Sequence, residues 1–145
     1  QKVGQSAAPL FLDRIDIQCE ITPVPFKDIS KAAPGEPSAN IRERVIKARE
    51  IQAARYKDYK GIHCNAQMTE RMIHQFAEPN EAGIDMLRMA MEKLSLSARA
   101  YSRILKVART IADREGCEHV ELHHLAEAIG YRALDRGDWA ERGHI

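Results

Sequence analysis

The chain has 145 residues, of which 44% are hydrophobic and 30% are charged, and its formal net charge is +1. These values are typical of one soluble globular domain that is long enough to bury a core. The near-neutral charge argues against a strongly basic nucleic-acid-binding domain, although it leaves room for a local basic patch. No apolar run reaches membrane-spanning length and no secretory signal is present, so we expect no membrane partner.

The three cysteines, Cys19, Cys64 and Cys117, are odd in number and widely spaced, which does not suggest a disulfide framework. We interpret them as small buried hydrophobic residues or as free surface thiols. A reducing cytoplasm is the compartment that this cysteine usage favours, and we therefore predict a cytoplasmic protein.

The N-terminal part of the chain has two patterns after a short polar start over residues 1–9. Apolar and polar residues alternate over 15–21, which predicts a half-buried β-strand. Four prolines and a glycine, Pro23, Pro25, Pro34, Gly35 and Pro37, then mark a linker that ends near residue 37. A lone strand cannot satisfy its backbone, so we expect an orphan strand from the sheet of a longer protein.

From Ser38 onward the sequence pattern predicts only helices. Capping residues and apolar periodicity predict helices over about 39–58, 69–76, 81–94, 97–115 and 121–134. The inward stripe of the first is expected to be Ile41, Val45, Ala48, Ile51 and Ala54. Short connections between four or five helices predict a small helical bundle, followed by a tail over 137–145 that shows no period.

The predicted helix that begins at Ser97 has the clearest pattern. Its apolar stripe consists of Tyr101, Ile104, Leu105, Ala108, Ile111 and Ala112. Arg99, Arg103 and Lys106 fall on another side, with Arg99 in the first turn. A cation there is mildly unfavourable beside the positive end of the helix dipole. Two interpretations remain open: a solvated basic face, or a face that meets an anion.

The histidines that follow this helix raise the question of a metal site. His119 and His123 are four residues apart, with Cys117 and His124 close in sequence. Gly116 breaks the helix before them, however, and no second ligand cluster could complete a tetrahedral site. We predict ordinary surface histidines and no metal site.

Nothing in the sequence predicts catalysis by this chain alone. It contains no G-x-x-x-x-G-K-[ST] phosphate loop, and its carboxylates are dispersed. We therefore do not expect the chain by itself to hydrolyse a nucleotide.

Four stretches resemble the C-terminal domain of magnesium-chelatase-like AAA+ ATPases, and most of all the ComM (YifB) competence-protein branch. Residues 96–116 read L-S-x-R-A-Y-x-R-I-L-K-V-A-R-T-I-A-D-x-E-G, which is similar to the family's signature helix. Residues 11–17, 41–52 and 64–68 resemble its L-L-D-R-I-D, I-R-x-R-V-x-x-A-R-x-I-Q and C-N-A-Q-M segments, in the family's order. The resemblance runs from about residue 9 to residue 136.

The resemblance implies roles for three arginines. Arg14 matches the arginine finger that reaches the nucleotide of a neighbouring subunit, where it would be a catalytic residue. Arg99 matches the sensor-2 arginine that contacts ATP phosphate within its own subunit, and Arg103 is a weaker candidate for the same task. From the local pattern alone, Arg14 could simply pair with Asp13 or Asp16 at the surface.

The resemblance also implies a domain plan. Residues 1–22 would be the tail end of the ATPase core, 23–37 the linker, 38–136 the C-terminal helical lid and 137–145 a tail. ATP and Mg²⁺ would bind the full-length protein, with neither expected on this chain alone. Partners would be the missing N-terminal core and neighbouring subunits in a hexameric ring that acts on DNA.

Two alternatives stay open. The chain could be part of a true magnesium chelatase that inserts metal into a porphyrin. It could also be a non-enzymatic helical adaptor that binds another protein, with Arg99 merely solvated.

Overall fold

The computed structural model describes residues 11–19 and 21–132 as an all-α bundle. Six α-helices and one 3₁₀ helix lie wholly within these residues: α1 Phe26–Ser30, α2 Ser38–Tyr56, the 3₁₀ helix Asn65–Gln67, α3 Glu70–Phe76, α4 Glu81–Leu94, α5 Ala98–Glu115 and α6 Leu122–Gly130. The predicted helical bundle is thus confirmed, with the short α1 as an added element inside the linker. The predicted start over 1–9 and the tail over 137–145 lie outside the described residues.

The strand predicted over 15–21 is wrong. Residues 15–19 and 21 adopt no regular secondary structure, and no strand occurs in the described part of the chain. The backbone finds other partners instead. The Gln18 N–H donates to the Tyr131 carbonyl at 2.8 Å, and Arg132 Nη1 donates to the Ile15 carbonyl at 3.0 Å. The two residues that follow α6 thus supply the hydrogen bonds that a neighbouring strand would give.

Helix α5 is the centre of the bundle and contacts α2, α3, α6 and the 3₁₀ helix. Its buried apolar residues are Ala100, Ile104, Leu105, Ala108, Ile111 and Ala112. Five of these were predicted, and the sixth predicted residue, Tyr101, is half-buried. The helix begins at the predicted cap, where Ser97 Oγ accepts from the Ala100 N–H at 3.1 Å. It ends at Gly116, whose φ of 73° is the left-handed conformation that glycine adopts without strain.

Helix α2 packs differently from the prediction. Ile41, Val45 and Ile51 are between 37% and 48% exposed, whereas the buried residues are Ala48, Gln52 and Tyr56. Gln52 faces the core because its side-chain oxygen accepts the Asn65 N–H at 2.9 Å. The cap was also wrong, since Pro37 rather than Ser38 holds that position. A polar contact has therefore determined the inward face of this helix.

A buried polar network holds α5 against α2. The carboxylate of Asp113 accepts from Arg55 Nη1 at 2.7 Å, from Asn65 Nδ2 at 2.8 Å and from Arg109 Nε at 3.1 Å. Asn65 Oδ1 also accepts from the Tyr56 hydroxyl at 2.6 Å. Hydrogen bonding to Asp113 raises the pKa of Arg55, whereas burial lowers the pKa of Arg109. The network fixes the orientation of α5 and thereby of its exposed face.

Candidate functional site

The exposed face of α5 carries three cations in successive turns. Arg99, Arg103 and Lys106 line one open cavity of about 620 Å³, together with Asp16 and Glu70. The helical spacing of the three residues places them on one side, as the sequence predicted. The cavity therefore brings together the two predicted phosphate-binding arginines and adds a lysine.

Arg103 has the most informative contacts. Its Nη1 forms an ion pair with Asp16 Oδ1 at 2.7 Å. Its Nε is buried and has no hydrogen-bond partner among the described residues. A buried donor without an acceptor costs free energy, so Arg103 gains a hydrogen bond if its side chain turns this Nε toward an anionic oxygen in the cavity. The guanidinium is thus suited to bind a ligand with several anionic oxygens.

Arg99 lies at the start of α5, where the first-turn N–H groups favour an anion. Its Nη1 is 3.9 Å from Asp13 Oδ2, and its side chain remains 55% exposed. Asp13 Oδ1 also accepts from Ser97 Oγ at 2.7 Å and lies 3.6 Å from Arg132 Nη2. A carboxylate therefore already occupies the anion-favouring end of this helix.

Arg132 is a residue that sequence reasoning missed. It is buried near the end of α6, and its Nη2 donates to the Asp13 carbonyl at 3.3 Å. With its bond to the Ile15 carbonyl, it holds residues 13–15 beside α5. No local pattern could have revealed this pairing, because 119 residues separate the two partners along the chain.

The remaining wall of the cavity is polar and partly acidic. Ser102 Oγ donates to Glu70 Oε1 at 2.8 Å, and Lys106 Nζ donates to the Ala66 carbonyl at 3.1 Å. Burial, followed by the nearby charges of Glu78 and Glu70, raises the pKa of Tyr101. Tyr101 therefore stays neutral at physiological pH and keeps its hydroxyl proton as a donor.

Arg14 stands apart from this cavity. It is exposed, it does not line the cavity, and its side chain forms no ion pair with the described residues. The alternative pairing with Asp13 or Asp16 is not formed, because those carboxylates face Arg99, Arg132 and Arg103. Arg14 is thus separate from Arg99 within one chain.

The histidines also differ from the prediction. His123 is exposed as expected, but His124 is fully buried. The Nε2 atoms of both lie 2.8 Å from Glu115 Oε2, and these three side chains could present ligand atoms to one metal ion. However, His124 Nδ1 accepts the Glu121 N–H at 2.9 Å, so the neutral ring carries its proton on Nε2. That proton faces Glu115, and His124 forms a capping box with Glu121 at the start of α6 rather than presenting a free ring nitrogen to a metal.

No helix within the described residues combines the length and the apolar character that crossing a bilayer requires.

Comparison with known proteins places most of the chain in one family. Residues 35–132 match the family described as magnesium chelatase, subunit ChlI C-terminal. The chain is 42% identical over 127 residues to the competence protein ComM of Haemophilus influenzae, covering 87% of this chain and 24% of that protein. It is 41% identical over 127 residues to YifB of Escherichia coli, with the same coverage. An uncharacterized protein of Mycobacterium tuberculosis is 32% identical over 130 residues, covering 90% of this chain and 25% of that protein.

The chain therefore spans about a quarter of the length of these relatives. The family match covers α2 to α6 and includes Arg99 and Arg103, whereas Arg14 precedes it. The chain belongs to the family of magnesium chelatase ChlI C-terminal domains, as a C-terminal domain of the ComM type.

Proposed function

We propose that this domain binds ATP phosphates through the cationic face of α5, as the helical lid of an AAA+ ATPase. The observation that carries the proposal is the buried Nε of Arg103, a donor with no acceptor in the described residues, beside Arg99 at the helix start. Arg99 would contact the phosphates as the sensor residue, with Arg103 as a second contact. Guanidinium groups suit this task because they stay charged and match phosphate oxygens geometrically.

ATP would supply the phosphoanhydride bond that is cleaved, and the residues of this face are chemically suited to its phosphates. The same face is not suited to Mg²⁺, because the carboxylates nearest to the arginines already form ion pairs with them. We infer that Mg²⁺ and the phosphate loop belong to the ATPase core that the relatives' greater length would accommodate. This chain alone would then not hydrolyse ATP.

Arg14 is proposed as the arginine finger that acts on a neighbouring subunit. Its exposure and its separation from the cavity support an action in trans. A permanently charged guanidinium can neutralise charge that develops on the transferred phosphoryl group, with an effect of about 10³–10⁵ on rate in studied cases. This role requires an assembled ring, which we expect to contain six subunits.

The printed name of a relative extends the proposal to the biological process. Similarity to a competence protein supports a role for the ring in processing DNA during recombination or natural transformation, in the cytoplasm. The partners would be the ATPase core, neighbouring subunits and DNA.

The test is ATP hydrolysis by the full-length protein, measured with and without branched DNA. Arg99→Ala should depress the turnover that DNA stimulates. Arg88→Ala is a matched control, because Arg88 is an exposed arginine that also pairs with an aspartate, Asp85 on α4. Turnover that responds neither to DNA nor to Arg99→Ala would contradict the proposal.

A chelatase function is the second candidate, and the family description favours it. The same lid would then drive metal insertion into a porphyrin. Insertion of Mg²⁺ into protoporphyrin by the full-length protein with its partner subunits would establish this function in place of DNA processing.

A further inference from the structure

Arg99 and Arg103 of α5 both form ion pairs with carboxylates from one short segment. Asp13 lies against Arg99 and Ser97 at the start of the helix, and Asp16 lies against Arg103 one turn later. Asp13 and Asp16 are three residues apart, while Arg99 and Arg103 are four residues apart. The N-terminal segment, residues 11–18, thus places one negative charge at each arginine.

Backbone contacts keep the N-terminal segment in place. Arg132 donates to the carbonyls of Asp13 and Ile15, and Gln18 donates its N–H to Tyr131. Carboxylates presented by a tethered segment have a high effective concentration at their partners. Each ion pair is partly exposed, however, with Arg99 at 55% and Asp16 at 47% side-chain exposure. Such pairs are individually weak, and a multivalent anion can replace them.

We propose that Asp13 and Asp16 are an internal ligand of Arg99 and Arg103, and that phosphate binding displaces the N-terminal segment from α5. The inference rests on the proposed function and adds its regulation. Carboxylate and phosphate oxygens carry like charges, so both cannot occupy the same guanidinium without repulsion. The face therefore has two states, one closed by the aspartates and one occupied by phosphate.

Displacement of the N-terminal segment would also affect Arg14. This residue lies between the two aspartates in sequence, on the same segment. Displacement of the N-terminal segment must move Arg14 as well. Phosphate at Arg99 and Arg103 thus changes the position of the proposed finger, which couples the nucleotide of one subunit to the catalytic group offered to the next.

Binding of inorganic tripolyphosphate to this chain tests the competition. Titration calorimetry at fixed low salt should show about three- to tenfold tighter binding for Asp16→Asn than for the unaltered chain, since one competing charge is removed. Asp13→Asn/Asp16→Asn should bind tighter still. Asp28→Asn is the matched control, because it removes an exposed carboxylate on α1, and it should leave the affinity unchanged.

Asp16→Asn is the primary variant because Asp13 also contacts the buried Arg132, and its replacement could disturb the fold. Hydrogen exchange gives an independent measurement. The Gln18 amide, which donates to Tyr131, should lose protection when tripolyphosphate is added.

The outcomes separate the two proposals. If Arg103→Ala weakens tripolyphosphate binding but Asp16→Asn leaves the affinity unchanged, the site binds phosphate and the competition is refuted. If neither Arg99→Ala nor Arg103→Ala weakens binding in the Asp16→Asn background, the phosphate site itself is refuted. Protection of Gln18 that survives saturation with tripolyphosphate would also overturn the displacement.

Discussion

The two halves of α5 hold their arginines in opposite surroundings. In the second half, Arg109 is buried and donates to Asp113 and to the backbone carbonyls of Phe76, Cys117 and Glu118. In the first half, Arg103 has one carboxylate partner and a buried Nε with no acceptor in the described residues, and Arg99 is largely exposed. One helix thus carries a guanidinium whose nitrogens all donate to protein acceptors and two whose donors are not all paired.

The difference shows how to separate a structural arginine from a binding one. Arg109 ties three chain segments together, and each of its three nitrogens already donates. Arg99 and Arg103 have donors to spare and lie along an open cavity. Burial and the number of hydrogen-bond partners, rather than the presence of an arginine, distinguish the half of α5 where we propose that an anion binds.

Asp113→Ala should have the largest effect on stability. It leaves Arg109 and Arg55 without their buried carboxylate, and loss of one partner of a buried ion pair costs about 3–5 kcal/mol. Urea denaturation measures the loss of unfolding free energy. A cost below about 1 kcal/mol would mean that the second half of α5 is not held by this network.

Leu105→Ala should destabilise the bundle by about 2–5 kcal/mol, because Leu105 is only 2% exposed in the core. The variant measures how much apolar packing, which is common to both halves of α5, contributes to the unfolding free energy. Lys93→Ala, at an exposed position near the end of α4, is a control that should remain close to the unaltered chain. A loss well under 2 kcal/mol would indicate that the core adapts to the cavity.

Arg99→Ala should change the unfolding free energy by no more than about 0.5 kcal/mol, because its ion pair is exposed and long. Arg109→Ala is the informative contrast, since it should unfold the chain far more readily. Thermal denaturation of both variants sharpens the comparison directly. Equal destabilisation by the two substitutions would remove the distinction between the halves of α5.

The end of α5 should contribute a small pH dependence. Hydrogen bonding to Glu115 raises the pKa of His123, and hydrogen bonds from His123 and then His124 lower the pKa of Glu115. The histidine's contribution is fully present below its unfolded pKa of about 6.5 and is lost as pH rises through the folded pKa. The glutamate's contribution is present above its unfolded pKa of about 4.3 and is lost as pH falls through the lowered folded pKa.

Stability measured from pH 6 to pH 9 should therefore decline less in His123→Ala than in the unaltered chain. His119→Ala replaces another exposed histidine and should leave the slope unchanged. An identical slope in all three proteins would show that the His123–Glu115 pair contributes nothing measurable.

Local pattern predicted α5 well because its apolar side chains, its Ser97 cap and its Gly116 stop all indicate the same helix. The same reasoning failed for α2, because the Gln52 contact to Asn65 is a tertiary hydrogen bond that hydrophobic periodicity cannot register. The predicted strand failed for a related reason, since Arg132 and Tyr131 satisfy that backbone from the far end of the chain. The arginines were predicted as site residues from spacing and resemblance, whereas their aspartate partners depend on long-range contacts.

The central claim is that the first half of α5 binds phosphate and the second half does not. Mapping of tripolyphosphate binding onto the chain by ¹⁵N–¹H correlation spectroscopy tests it most directly. The account predicts that the largest shifts fall on the amides and guanidinium groups of Arg99 and Arg103, with those of Arg109 unmoved. Shifts centred on Arg109 or on the basic residues of α2, or no shifts at all, would contradict it.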